Sequence, residues 1–133
     1  MPELVFFYGT LMLPFQRAGR SRIDGHLRFV GHGTINAALF DLGIYPAAVP
    51  TPDGRVRGEV HEMLDPTIVL RELDGIEGYR ASEPESSLYT RVLTPVMLDD
   101  GHAAEAWVYF YNAPLGRAER ITSGDYLEHL KGR

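Results

Sequence analysis

Residues 89–98 and 104–111 are two long β-prone runs, and between them stands Asp99-Asp100-Gly101. An Asp-Gly turn between alternating or aromatic β-prone runs is the strongest short-range signal for a hairpin, because the turn needs a left-handed residue that glycine supplies without steric cost. The second run carries Ala106-Trp107-Val108-Tyr109-Phe110-Tyr111, and aromatics favour a pleated, half-buried surface. Any fold for this chain must bury that hairpin against other strands or a helix, since two strands alone are marginal in water.

The rest of the chain supplies both. Residues 3–8 form an apolar run that stops at Gly9, read as a buried first strand and a turn. Residues 13–21 contain Pro14 and Gly19 and read as loop with a short helical turn. Residues 27–33 and 34–42 read as two strands joined near glycines. Gly43-Ile44-Tyr45-Pro46 reads as a turn or irregular crossing, and Pro50-Thr51-Pro52-Asp53-Gly54 as a turn. Residues 55–63 alternate and read as a strand, with Val56, Gly58 and Val60 on one side. Asp65-Pro66 is a helix start, with Asp as N-cap and Pro at the first position. Val69, Leu73 and Ile76 share a helical face, and Gly75 and Gly78 end the helix near Glu77. The polar residues 80–87 read as a loop. Ser123 or Asp125 caps a short terminal helix over 126–130. The order β, ββ, β, α, ββ, α implies an α+β fold with a mixed, mostly antiparallel sheet, and the aromatic strands can curl into a small barrel. At 133 residues the chain holds one domain with one core.

Composition removes whole classes of chemistry. There are no cysteines, hence no disulfides, thiolate metal sites or cysteine nucleophile. Lys131 is the only lysine and sits near the end, so a buried Schiff-base or P-loop lysine is excluded. A net charge of −5 argues against nucleic acid. The one clustered basic stretch, Arg17, Arg20, Arg22 and Arg28, reads as solvated surface. No apolar run is long enough for a membrane span, and the N-terminus lacks a signal-peptide layout, so the expected compartment is the cytoplasm. His61-Glu62 opens like a zinc helix, but Asp65 and Pro66 stand where a second histidine is needed. His26, His32, His61, His102 and His129 therefore read as surface or structural groups. Gly31-His32-Gly33 has Asn36 where a dinucleotide fingerprint needs glycine, and no nucleophile elbow is present. Neither a metal nor a cofactor is expected, and the sequence leaves the oligomeric state open.

Two features survive. At Tyr8-Gly9-Thr10-Leu11 a glycine after a strand lets the backbone turn and approach a ligand, and such a turn can aim successive N–H groups at one anionic oxygen. In Leu73-Asp74-Gly75-Ile76-Glu77-Gly78-Tyr79 an acidic residue stands between glycines beside an apolar helix face, where partial desolvation by Ile76 and Tyr79 suits a general acid/base. Each also has a plainer reading, a strand-ending turn and a solvated glutamate, which the motif taken singly favours.

Taken in order, Tyr8-Gly9-Thr10-Leu11, Gly43-Ile44-Tyr45-Pro46-Ala47, Leu73-Asp74-Gly75-Ile76-Glu77-Gly78-Tyr79, Tyr89-Thr90-Arg91 and the 106–111 strand resemble the gamma-glutamylcyclotransferase-like family, which includes AIG2-like proteins and gamma-glutamylamine cyclotransferases. The resemblance runs from Val5 to about Leu130. It implies a small mixed barrel flanked by helices. It also implies a reaction in which a gamma-glutamyl compound cyclises to 5-oxoproline and releases an amine, without cofactor. Carried over by motif, Glu77 is the acid/base, while Tyr8, Gly9, Thr10 and Leu11 bind the glutamyl end. Tyr89 walls the pocket or bonds the ligand. Tyr45 and Arg91 are further candidates, Arg91 as a partner for a substrate carboxylate or for Glu77. Asp74 is expected to be a helix-end acceptor. Glu83 and Glu85, near the presumed pocket mouth, disfavour an anionic leaving portion. The competing reading is a domain that keeps the pocket and binds a small molecule without turning it over.

Overall fold

The computed structural model describes residues 3–15 and 18–132. Arg17 of the basic stretch lies outside the described residues. Among them, five strands close into a barrel in the order β1-β5-β2-β6-β7: β1 (Glu3–Phe7), β2 (Leu27–Ile35), β5 (Val56–Met63), β6 (Tyr89–Leu98) and β7 (Ala103–Tyr111). All neighbours are antiparallel except β1 and β7, whose parallel pairing of Leu4 with Ala106 and Val5 with Trp107 completes the closure. Closure removes the exposed edges that an open sheet of such aromatic strands would present. A second sheet, β4-β3-β8, is formed by β3 (Ala37–Asp41), β4 (Pro46–Pro50) and β8 (Glu119–Arg120). The fold is α+β, as the element order implied.

The helices follow their local signals. α1 (Pro66–Glu77) starts where Asp65 Oδ1 accepts from Ile68 N at 3.3 Å, and ends at Gly78, whose φ of 66° is the left-handed cap. Val69 and Leu73 are fully buried, and Ile76 packs against the same core. Gly75 lies inside the helix rather than ending it, exposed, with nothing within 4 Å of where a Cβ would stand. Gly75→Ala should therefore raise stability by about 0.5–1 kcal/mol, read from the urea midpoint. A lower midpoint would show that the position is not an unstrained helix interior. α2 (Tyr126–Lys131) is capped by Asp125, which accepts from Glu128 N at 3.2 Å.

Further expectations change. The join between the second and third strands falls at Asn36, not at the glycines. Gly33 instead pairs with Gly58 on one side and Leu98 on the other, and a Cβ there would meet Met97 O at 2.7 Å. This glycine serves close strand approach. The turn read at Gly43-Ile44-Tyr45-Pro46 leads straight into a strand, β4, to whose residues 47–49 the sequence reading assigns no element. It is an edge strand bounded by two prolines, where a missing N–H is tolerated. The basic stretch breaks up too. Arg20 is buried, while the exposed Arg22 and Arg28 pair with Glu72 and Glu62.

Candidate functional site

The polypeptide leaves the buried β1 at Tyr8 and turns at once. Met12 N donates to Gly9 O at 3.0 Å, closing a four-residue turn over Gly9-Thr10-Leu11-Met12. Gly9 is not among the left-handed glycines, so its value is space: a Cβ would stand 2.8 Å from Pro46 Cγ, at the start of β4. The turn and β4 are thus in direct contact. Tyr8 anchors the same corner. Its hydroxyl donates to Tyr109 O at 2.6 Å and accepts from Ala48 N at 3.3 Å.

Around this corner lies a partly open cavity of about 80 Å³. It is lined by Tyr8, Gly9, Thr10 and Leu11 from the turn and by Tyr45 and Pro46 from the start of β4. Ile76 and Glu77 come from the end of α1, Leu88 and Tyr89 from the start of β6, and Tyr109 from β7, with Phe6 and Phe7 behind. Four separated segments therefore bring the six residues assigned above to catalysis and glutamyl binding, together with Tyr45, onto one wall-and-floor arrangement. Glu77, half-buried, is the one carboxylate among the described lining residues, and none of those residues is basic.

Arg91 does not line the cavity. It packs between the rings of Tyr79 and Trp107, at 5.6 and 5.0 Å, with its Nε 3.4 Å from Asp74 Oδ1. Asp74 also accepts from the Tyr109 hydroxyl at 2.6 Å, and its carbonyl caps the helix end by accepting from Gly78 N and Tyr79 N. Tyr109 is a cavity residue that the sequence motif alone did not single out. The strand was legible, but which of its aromatics reached the cavity depended on pairing with β6 and β1. Its proton is committed to Asp74, so toward the cavity its oxygen can only accept. Glu83 and Glu85 lie outside the lining, with Glu83 3.7 Å from Arg80. Their loop is tied to Asn112, whose side chain donates to Pro84 O and Ser87 O at 3.1 Å. Leu88, Ile76 and Tyr45 line the cavity instead. Among the described residues no group of three or more His, Asp or Glu side chains is placed to hold a metal ion, and no helix is long and apolar enough to cross a membrane.

Burial holds two phenols in their neutral form. The Tyr8 phenol is pushed well above its ordinary value of 10, first by loss of water and then by the neighbouring Tyr89 and Glu77. Tyr109 is pushed up by burial, by its bond to Asp74 and by the Asp74 and Glu77 charges. In the unfolded chain both would ionise near pH 10. A group whose proton is held more tightly in the fold contributes stability that is whole below the unfolded pKa and lost as pH rises beyond it. Urea midpoints should therefore fall steeply above about pH 10. Tyr109→Phe should reduce the slope of the unfolding free energy against pH, taken from full urea curves, by about 1.4 kcal/mol per pH unit. An unaltered slope would mean that Tyr109 ionises freely in the native state.

Known proteins share this arrangement of sequence and fold. The family described as "Gamma-glutamyl cyclotransferase, AIG2-like" matches residues 5–128. The gamma-glutamylcyclotransferase family protein YtfP of Escherichia coli K12 is 34% identical over 128 residues, spanning 96% of this chain and 98% of its own. The solution structure of ytfP from Escherichia coli superposes with a TM-score of 0.67 at 31% identity, over 95% of this chain and 97% of that one. An AIG2-like protein from Mus musculus gives a TM-score of 0.64 at 26% identity, over 85% and 80%. With the family pattern running from β1 through α1 and the rest of the barrel to the start of α2, this chain belongs to the AIG2-like gamma-glutamyl cyclotransferase family.

Proposed function

We propose that this protein is a gamma-glutamyl cyclotransferase-type enzyme that converts a small gamma-glutamyl amine, amide or peptide to 5-oxoproline and a free amine, with Glu77 as general acid/base. The observation that carries the reading is that one cavity is lined both by the Glu77 carboxylate and by the main-chain turn at Tyr8–Leu11. A gamma-glutamyl compound brings its own nucleophile, the α-amine, so no protein nucleophile is required. The amine nitrogen attacks the γ-carbonyl carbon, a five-membered lactam forms and the bond to the departing nitrogen breaks. The α-ammonium gives up two protons in becoming the lactam N–H. The departing amine takes up two in leaving as an ammonium ion, and no water is consumed. Glu77 moves a proton from the first nitrogen to the second, the kind of transfer that contributes about 10²–10⁴-fold. The turn holds an anionic oxygen of the substrate with main-chain N–H groups, and holding the chain folded for ring closure supplies the orientation term.

The walls bear on the leaving group. Leu88, Ile76 and Tyr45 offer apolar surface and no cation, so a leaving amine without a carboxylate fits better than one that carries it. The test incubates the protein with a panel of gamma-glutamyl amines and dipeptides in ¹⁸O-labelled water and identifies products by mass spectrometry. Unlabelled 5-oxoproline with an equimolar amine is expected, fastest from the uncharged amines. Labelled glutamate would identify a hydrolase instead. Binding without either product would identify a non-catalytic binding domain.

A further inference from the structure

Beneath the turn lies a buried charged cluster to which the proposed reaction gives no chemical step. Glu59 on β5 is 2% exposed, and both its carboxylate oxygens accept from one main-chain group, Leu13 N, at 3.0 and 3.1 Å. Oε1 also lies 3.1 Å from Nε2 of His61, itself 1% exposed. His61 Nδ1 has no hydrogen-bond partner among the described residues. The tautomer with the proton on Nε2 fits this arrangement, since a carboxylate oxygen only accepts and an unprotonated Nε2 would set two acceptors face to face. On the other side of Met12, Arg20 is 6% exposed and donates from Nη1 to Leu11 O. Its Nε stands 2.6 Å from Asp24 Oδ1, and its guanidinium lies over the Phe7 ring at 5.4 Å.

The two peptide groups that flank Met12 are therefore held from opposite sides by a buried anion and a buried cation. Burying ions carries a desolvation penalty that only well-placed partners repay. Glu59 is rooted in a strand paired on both edges, with β1 and β2. Phe7 packs against His61 at 5.3 Å, closing the cluster from the β1 side. Tyr8 fixes the other end of the turn through Tyr109 O. A main-chain anion site works only if its N–H groups are already aimed, and a misplacement of about 1 Å can cost 10²-fold.

We propose that Glu59 and Arg20 are positioning residues that hold the Gly9–Met12 turn in its ligand-binding shape and so set the affinity for the substrate's anionic end. The inference rests on the cyclotransferase reading above. Glu59→Gln keeps size and one acceptor but loses the charge. Arg20→Gln removes the clamp on the opposite side. Each should raise KM for the best gamma-glutamyl amine by at least about tenfold while kcat stays within about threefold. Amide exchange at Leu13 should quicken in Glu59→Gln while exchange in β5 does not. A merely structural role predicts the reverse pattern: a lower melting temperature and a smaller active fraction, with KM unchanged. Folded variants with wild-type KM overturn the proposal, and if one variant fails to fold the other decides. Wild-type protein that releases no 5-oxoproline from any panel member overturns the cyclotransferase reading and this inference with it. Wild-type turnover with an unmoved KM in the variants overturns the inference alone.

Discussion

Glu77→Gln should lower kcat for 5-oxoproline release by about 10²–10⁴-fold and leave the fold intact. The substitution keeps the shape of the side chain at the end of α1 and removes its capacity to take and return a proton. Gly78 supplies the helix cap through its backbone and does not depend on residue 77 being charged. Thermal melts should therefore agree within a few degrees, and 5-oxoproline should still bind, because the turn that faces Glu77 is anchored by Tyr8, Met12 and the residues beneath it. Tyr109 cannot take over the role. Its hydroxyl proton is held by Asp74, and burial keeps the phenol neutral across the working pH range. Release of 5-oxoproline at the wild-type rate from purified Glu77→Gln would remove this residue from the chemistry and leave the cavity as a binding site.

Gly58→Ala should cost about 3 kcal/mol, which for a chain of this length is a fall of roughly 10 °C in melting temperature. A Cβ at Gly58 would stand 2.3 Å from the carbonyl oxygen of Phe7 and 2.6 Å from the Phe6 ring. The carbonyl cannot step aside without opening the β1–β5 ladder, in which Phe6 faces Val60 and Phe7 faces Glu59. The opposing residue on β2 is another glycine, Gly33, equally short of space. The pair marks where the barrel wall is most crowded. The displacement would also reach Tyr8, one residue beyond Phe7, so activity should fall further than stability accounts for. Gly31→Ala is the control. It lies on the same sheet with nothing within 4 Å of its added carbon, and it should melt close to wild type. Equal melts for the two variants would mean that β1 and β5 do not approach as closely as the structure has them.

Much of this architecture is local in origin and was legible in the chain. Asp65, Pro66 and Gly78 delimit α1 through bonds spanning three or four residues, and Gly101, at φ of 92°, makes the turn between β6 and β7. Capping and turn energies depend on a few neighbouring dihedrals, so residue identity suffices to read them. The candidate site was legible as an ordered set of short motifs, because each motif is a local device: a turn, a helix end, a strand start.

Tertiary structure decided what those devices face. That residues 46–50 form a strand depends on β3 lending its hydrogen bonds to a segment bounded by prolines. Arg91 is drawn away from the cavity by Asp74 and two aromatic rings that reach it from α1, the segment after it and β7. Tyr109 reaches the cavity because β7 pairs with both β6 and β1. Glu59 is buried because a main-chain N–H 46 residues earlier in sequence needs an acceptor there. Sequence carries the short-range energies of caps, turns and alternation. Desolvation and long-range hydrogen bonding are properties of the packed molecule, and they fixed which charged groups went inside and which residues share one cavity.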